Sequence, residues 1–380
     1  MDGIRLLDHL SRVIRMPQLG RLSSRSLSGL VPSTPTASQY TTLTWDASPL
    51  SFPLSGGAYA RNDGVGIGNA VYFTVGNTNN AFNSTLLKLQ GGIFTVVTLP
   101  SASAVCHTNT IVVGDSGKIL VTGYAWNNGT PVLDARCMWT STDSGVNWSV
   151  TNFPSGLFGT TALTTYNYAN GKFYAFGRLG TTNAYTSQHR TSTDGVTWTA
   201  AVTTSLNDAT DPFPFFQSAT NTDQSIIVGK SGSANRYYTA TTGSSPIATG
   251  VLTLGAVSPD RRLAWVPDIN SFVGAKLGSS AYALELSRAV SGQSWQVLSS
   301  AGTTLYECYS GTTAGKASVV LFTRFGSTDD GKIVLSLNGG STFSVVSAPT
   351  NSYNASFSII GDKVYGNVFN TLPLYVGTLT

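Results

Sequence analysis

The sequence predicts an all-β chain built from seven repeats of one four-stranded sheet, and three features predict it. A turn motif recurs along the chain and ends each time in an aromatic residue or a proline. Those end points, Trp45, Phe94, Trp148, Trp198, Pro246, Trp295 and Phe343, stand 49, 54, 50, 48, 49 and 48 residues apart. Each interval holds short runs of Thr, Val, Tyr and Phe separated by Gly, Asn, Asp and Ser, strand formers alternating with turn formers. The two ends are complementary: residues 41–45 read as a lone fourth strand, and residues 356–377 supply three strands with no fourth. A period of roughly 40–50 residues rich in short strands is the signature of propeller blades. Six full intervals and one blade assembled from both termini predict a seven-bladed β-propeller closed by pairing of the N- and C-terminal strands, which removes the free sheet edges.

The clearest copy of the turn is Ser141-Thr142-Asp143-Ser144-Gly145-Val146-Asn147-Trp148. A short hydroxyl and an Asp can bond the turn's own backbone. Gly145 can take a backbone angle that other residues resist, and Trp148 opens the next strand and packs down. A second copy, Ser192-Thr193-Asp194-Gly195-Val196-Thr197-Trp198, is one residue shorter, and a third runs from Ser336 to Phe343 with Asn338 in place of Asp. A worn copy ends at Trp295, and fainter ones end at Phe94 and Pro246. The motif resembles the Asp-box, S-x-D-x-G-x-x-W, of sialidase-type β-propellers. The resemblance covers Thr41–Thr380 at the level of fold. It implies that the boxes lie on the face away from the ligand-binding end, so that Ser141, Asp143, Gly145, Trp148, Ser192, Asp194 and Trp198 are structural.

Between boxes the same order repeats. After Trp148 strands are expected at 162–168, 172–177 and 185–192, with a turn at Asn170-Gly171. After Trp295 they are expected at 305–311, 318–324 and 332–336. At the C-terminus they are expected at 356–360, 363–367 and 373–377.

Residues 1–40 differ in kind from the propeller, residues 41–380. Asp2 can cap a helix whose apolar face carries Leu6, Leu7, Leu10, Val13 and Ile14, with Arg5, Asp8, Arg12 and Arg15 on the other face. Pro17 and Gly20 stop it, and the Ser-, Arg- and Pro-rich stretch that follows reads as an extended linker. A mitochondrial transit peptide shares the Arg-rich, Ser-rich amphipathic character, although Asp2 and Asp8 are unusual in one. An interfacial membrane helix would use the same face, which is short for that purpose. Packing on its own propeller is a third use. The favoured one is a docking arm that orders on another subunit of a larger assembly, because the linker lets the helix reach away from the body.

Composition narrows the function classes. A chain of 380 residues with 40 glycines, 41% hydrophobic and 11% charged residues suits a turn-dense β protein and not a disordered one. The first 40 residues hold five arginines against Asp2 and Asp8, whereas the other 340 hold 17 basic and 16 acidic groups. So neutral a body argues against nucleic-acid binding, which draws on many phosphate contacts. Cys106, Cys137 and Cys308 are odd in number and widely spaced, and are expected as buried free thiols rather than a disulfide or a metal site. His9, His107 and His189 make no ligand pair, so neither metal nor cofactor is expected. No apolar run reaches the length of a membrane span and no secretion signal is recognisable, which points to a virion protein or otherwise a soluble one.

Candidate ligand residues lie at the end opposite the boxes. Four successive blades carry a cation at the end of the second strand, Arg178, Lys230, Lys276 and Arg324, and the others place Asn77, Tyr124 and Asn367 near that position. In ring order the four cations form an arc able to concentrate anions. The other possibility is that each is a solvated strand-end charge paired locally. Two long loops are expected to join this face, one with Trp126, Asp134 and Arg136 and one with Asp208, Asp211 and Phe213; Phe215 and Phe216 are expected in the strand after it. Sialidases use a Tyr nucleophile, supporting carboxylates and three arginines on the substrate carboxylate. Here only Glu285 and Glu307 supply Glu, Arg61 and Arg178 belong to no recognisable arginine triad, and Asp63 is the best lone carboxylate.

The expected function is therefore non-enzymatic: a component of a large assembly, a bacteriophage tail, fibre or decoration protein above all, anchored by its arm and presenting the propeller to protein or host surface. A host glycan-binding adhesin and a sialidase-like glycoside hydrolase are the alternatives.

Overall fold

The structure is a computed structural model. It describes residues 40–380 except 55–57, 61–63, 78–82, 103–105, 128–129, 153–164, 180–185, 204–214, 221–225, 231–235, 241–250, 254–258, 267–270, 278–282, 290–295, 305–306, 315–316, 325–331, 338–343, 348, 350–354 and 369–372. All the described residues belong to the unit Ala37–Thr380. The expected helix with Leu6, Leu7, Leu10, Val13 and Ile14 lies outside them.

The described strands form seven antiparallel sheets in which strands adjacent in sequence are neighbours. Sheet I holds Ala58–Ala60, Val65–Ile67, Ala70–Asn77, Thr85–Gln90 and Ile93–Thr98. Sheet II holds Cys106–Val113, Ile119–Asn127, Thr130–Ser141 and Ser149–Asn152. Sheet III holds Thr165–Ala169, Lys172–Leu179, Thr186–Ser192 and Val202–Thr203. Sheet IV holds Phe215–Thr220, Ile226–Lys230, Arg236–Ala240 and Val251–Thr253. Sheet V holds Pro259–Val266, Ser271–Leu277, Ala283–Ala289 and Gln296–Thr304. Sheet VI holds Glu307–Ala314, Ala317–Arg324, Lys332–Ser336 and Ser344–Ser347. Sheet VII holds Ala355–Ile360, Lys363–Val368 and Pro373–Leu379, joined by Leu43–Trp45 and Leu50–Ser51 from the other end of the chain.

Local chemistry sets these hairpins. Asn170 and Gly171 take φ of 47° and 74° and join Ala169 to its partner Lys172. Both central residues of such a two-residue turn need positive φ, which Asn-Gly supplies. Gly91 and Gly92, at 57° and 78°, do the same between Gln90 and Ile93.

The inner strand Ala70–Asn77 is apolar on both faces because its sheet packs against a neighbour on either side. In Ala70–Asn77, Val71, Phe73 and Val75 join Phe52, Leu87, Leu374 and Val376, so this face of sheet I meets sheet VII. Ala70 and Tyr72, one residue out of phase, join Cys106, Ile119, Val121 and Trp139 of sheet II. Leu120 and Met138 on the other face of sheet II meet Tyr166, Phe173 and Ala175 of sheet III. Leu335 of sheet VI meets Ile359, Val364 and Leu379 of sheet VII. The period of two thus divides Ala70–Asn77 between two interfaces rather than between core and water, whereas the outer strand Ile93–Thr98 is mostly exposed.

Polar bonds cross the same interfaces. The Thr108 hydroxyl donates to the Thr85 carbonyl at 2.7 Å and accepts from the Val75 amide at 2.8 Å. The Trp139 indole donates to the Pro100 carbonyl at 2.9 Å, and the Trp45 indole to the Ser347 carbonyl at 3.2 Å. The Tyr168 hydroxyl of sheet III donates to the Asp115 carboxylate of sheet II. Burial, and then this carboxylate, push the Tyr168 pKa up to about 12. Gly114 must be small here, since a Cβ would lie 2.7 Å from the Tyr168 ring.

Two expectations are corrected. Cys106 and Cys137 are not free thiols; they are joined in a disulfide with Cα atoms 6.4 Å apart. Both flank the strand Ile119–Asn127, Cys106 opposite Ala125 and Cys137 opposite Gly123, a proximity made by sheet register and invisible in a 31-residue separation. Trp126 and Arg136 are not in a loop either. They lie in Ile119–Asn127 and Thr130–Ser141, which continue the ladder to Asn127 opposite Thr130, with a register irregularity between Val132 and Arg136 that contains Asp134. The extra residues of the 54-residue interval lengthen two strands because Thr130-Pro131-Val132-Leu133 follows an Asn-Gly turn signal.

Candidate functional site

Each sheet has two ends, and the chemistry differs between them. At one end the third strand turns into the fourth, and the S-x-D-x-G-x-x-W motif and its one-residue-shorter copy sit there. The Ser141 hydroxyl donates to Asp143 at 2.8 Å and accepts from the Gly145 amide at 2.9 Å. Asp143 accepts from the amides of Val146 at 3.1 Å and Asn147 at 2.9 Å, and from the Asn147 side chain at 2.7 Å. The Trp148 indole closes the turn on the Gly145 carbonyl at 3.1 Å. In the shorter copy Ser192 donates to Asp194 at 2.9 Å and accepts from Gly195 at 2.8 Å. Asp194 accepts from Val196 and Thr197, both at 2.8 Å, and Trp198 donates to the Gly195 carbonyl at 3.1 Å. The one-residue difference is absorbed by Ser144, whose φ of 60° precedes Gly145 at 84°.

These bonds consume the carboxylates. The Asn147 amide, its side chain and the Ser141 hydroxyl hold the Asp143 carboxyl down at about 2. For Asp194 burial pulls the other way, but the amides of Thr197 and Val196 and the Ser192 hydroxyl outweigh it and lower the pKa. A carboxylate with its lone pairs spent on amides is a poor general acid or nucleophile. Both carboxylates are thus committed to their own turns. Their glycines also touch the preceding sheet: a Cβ on Gly145 would meet the Tyr72 hydroxyl at 3.2 Å, and one on Gly195 would meet Thr140 Cγ2 at 2.5 Å.

At the opposite end the second strand turns into the third, and the four basic positions lie there at the level of backbone. Arg178 pairs with Ser187, Lys230 with Phe215 and Arg236, Lys276 with Pro259 and Glu285, and Arg324 with Glu307. The register thus sets two of the four cations opposite the two glutamates of the chain, and sets Lys230 opposite a further cation, Arg236. Directly opposed opposite charges stabilise a ladder modestly and opposed like charges destabilise it. Arg236 was missed because the hairpin between it and Lys230 had to be closed before the two became partners. Both glutamates were noticed in sequence only as scarce catalytic groups. Phe215 and Phe216 lie in Phe215–Thr220. Arg61, Asp63, Asp208, Asp211 and Phe213 lie outside the described residues. No group of three metal-ligating side chains occurs among the described residues, and no helix among them is long and apolar enough to cross a membrane.

No protein-family model matches the chain, and no curated protein matches it in sequence. Solved structures do resemble it. YCF48 from Cyanidioschyzon merolae superposes with a TM-score of 0.55 at 13% identity over 88% of this chain and 98% of that one. The Dos1 propeller gives 0.51 at 10% identity over 81% and 75%. The polysaccharide lyase Uly1 gives 0.54 at 11% identity over 92% and 95%. At such identities the likeness speaks to fold alone, and that fold is the β-propeller.

Proposed function

We propose that the chain is a seven-bladed, Asp-box-type β-propeller closed through its terminal strands. In this proposal it is a non-enzymatic component of a large assembly, a bacteriophage virion above all, anchored by residues 1–40. It presents its far face to a protein or a host-surface glycan. Closure is supported by Leu43, Thr44 and Trp45 pairing with Leu379, Thr378 and Gly377. It is supported too by the contacts of the first strands, which run from sheet to sheet and back from Ala355–Ile360 to Val65–Ile67. The pairing supplies sheet VII with its outer strand from the other end of the chain.

The anchored arrangement rests on the place where the arm meets the body. The amides of Thr41 and Thr42 donate to the Thr380 carbonyl at 2.6 and 3.0 Å, and the Thr380 amide donates back to Thr42 at 3.1 Å. Thr380 ends the third strand of its sheet, the place that Ser141 and Ser192 hold in theirs. Thr41, at the start of the body, therefore lies at the box end, and the basic positions lie at the other. A body tethered on one face and charged on the other suits attachment behind and recognition in front. Low charge, the short arm expected from the sequence and Ser/Thr/Gly-rich strands lead us to a phage particle.

The test removes residues 1–30. The shortened protein should melt as the full chain does and be missing from purified particles; normal incorporation would overturn the anchor. Robust turnover of sialosides or polysaccharides by the purified full chain would overturn the non-enzymatic assignment.

A further inference from the structure

Every sheet ends on an outer strand, and most of the described outer strands are blunted. Ser149–Asn152, Val202–Thr203, Val251–Thr253 and Ser344–Ser347 are short. The outer edge of sheet VII is split into Leu43–Trp45 and Leu50–Ser51 by a stretch that holds Asp46 and Pro49. Gln296–Thr304 of sheet V is longer, but its ladder carries register irregularities. Shortness, charge, proline and bulges all discourage an edge from accepting another strand. Ile93–Thr98 of sheet I has none of these. It pairs with Thr85–Gln90 without a break, and no described strand pairs with its other side. It is free of charge and of proline, with Ile93 68% exposed and Val96 46% exposed.

The phase of this ladder decides which backbone groups point away from it. Gly91-Gly92 is a two-residue turn, so its flanking residues Gln90 and Ile93 exchange both hydrogen bonds. Bonded pairs then alternate along the ladder, Lys88 with Thr95 and Leu86 with Val97. The Leu99 amide, which donates to the Ser84 carbonyl at 2.7 Å, continues the same phase. Phe94, Val96 and Thr98 therefore turn their amides and carbonyls outward.

We propose that Ile93–Thr98 is a self-association edge, through which two copies of the chain pair antiparallel about a two-fold axis at Val96. In that register Phe94 of one copy lies against Thr98 of the other, and Val96 against Val96. Each of these pairs exchanges two hydrogen bonds, so every outward group of the strand is used. Val97 lies against Thr95 of the other copy in the closer pairs between. A two-fold contact is self-complementary, and any charge on its axis would meet its own like. Gly91–Pro100 carries no charge at all. The nearest cation, Lys88, lies one strand further in, with its Nζ 6.0 Å from the centre of the Tyr72 ring. An acidic or basic segment of another protein would find no countercharge on this strand, which favours a second copy. A junction one strand wide is narrower than a standard interface of about 1,200–2,000 Å². Association is therefore reversible in solution and stronger where copies are held close together. Sheet I supplies the whole junction, so it stands apart from ring closure and from the anchoring arm.

The test is sedimentation velocity of the full chain from low to high micromolar concentration, where a reversible dimer should appear. Val96→Lys and Val96→Glu, each in a protein that melts like the parent, put like charges on the axis. Each should weaken the dimer by about tenfold or more. Mixed in equal amounts, the two variants should dimerise with each other more tightly than either does alone. Val96→Pro removes an outward amide and none of the bonds within sheet I, and should also abolish the dimer. A chain that stays monomeric, a dimer unchanged by these substitutions, or no gain on mixing would overturn the edge. A dimer that survives Val96→Lys and is lost on removal of residues 1–30 would overturn it in favour of the arm.

Discussion

Replacing Gly195 by Ala tests whether the box turn is a joint between sheets. Two costs are separable. Gly195 sits at φ 77°, and an L-residue forced into that region loses about 1–2 kcal/mol. The new Cβ would stand 2.5 Å from Thr140 Cγ2, with Leu120 Cδ1 at 3.5 Å and a Phe173 ring carbon at 3.6 Å. All three neighbours are buried. Gly195 is pinned as well, its amide bonded to Ser192 and its carbonyl to Trp198. Overpacking at such a site costs about 1–3 kcal/mol, so the sum is about 2–5 kcal/mol. Gly171 provides the control: its φ is 74°, and a Cβ there would meet nothing within 4 Å. Gly171→Ala should therefore lose only the backbone part, about 1–2 kcal/mol. Urea unfolding followed by both far-UV circular dichroism and tryptophan fluorescence measures each loss, and coincident transitions license a single free energy. Losses within about 0.5 kcal/mol of each other would refute the joint, because that is the spread of substitutions that touch nothing.

Acid should expose the box carboxylates. The Asp143 pKa is held near 2 against an ordinary 3.8, so its contribution is complete above about pH 4 and is lost as pH falls towards 2. Melting temperature should drop less steeply over that range in Asp143→Asn than in the parent; parallel curves would show that the carboxylate is not held. Under denaturing, non-reducing conditions one thiol, that of Cys308, should react with a thiol reagent, and three should react after reduction. Reduction should cost about 3–4 kcal/mol for a cross-link spanning 31 residues. Three reactive thiols before reduction would refute the Cys106–Cys137 bond.

Much of the fold was legible because the repeat is written in turn chemistry. Ser, Asp, Gly and Trp at fixed offsets specify a turn whose bonds are local, and the Asn170-Gly171 hairpin is local in the same way. The third strand after Trp148 is described over Thr186–Ser192, against an expected 185–192. Contacts set by strand register or by which sheets adjoin were not legible. The Cys106–Cys137 bond, the Tyr168–Asp115 bond and the pairs Lys276–Glu285 and Lys230–Arg236 depend on register and on which sheet is next to which. The basic end was read from residue type at strand ends. That reading found the cations but not the glutamates that the register sets opposite two of them. The register breaks between Thr108 and Thr110, Phe215 and Gln217, Pro259 and Leu263, and Cys308 and Ser310 leave no motif, since an extra residue in a strand looks like any other residue until its partner strand is known. The longer hairpin of sheet II could have been found from Asn128-Gly129, a turn signal passed over in favour of a loop.

Closure of the ring can be measured directly in solution. Thr42 and Thr380 exchange both backbone hydrogen bonds, and their hydroxyl oxygens lie 2.6 Å apart. Residues so paired have Cα atoms about 5.5 Å apart, within disulfide reach. The double variant Thr42→Cys with Thr380→Cys should oxidise to an intramolecular disulfide, shown by a linked peptide joining residue 42 to residue 380 in a monomeric, non-reduced protein. Two free cysteines at those positions, or links only between separate chains, would contradict a propeller closed by its own two ends.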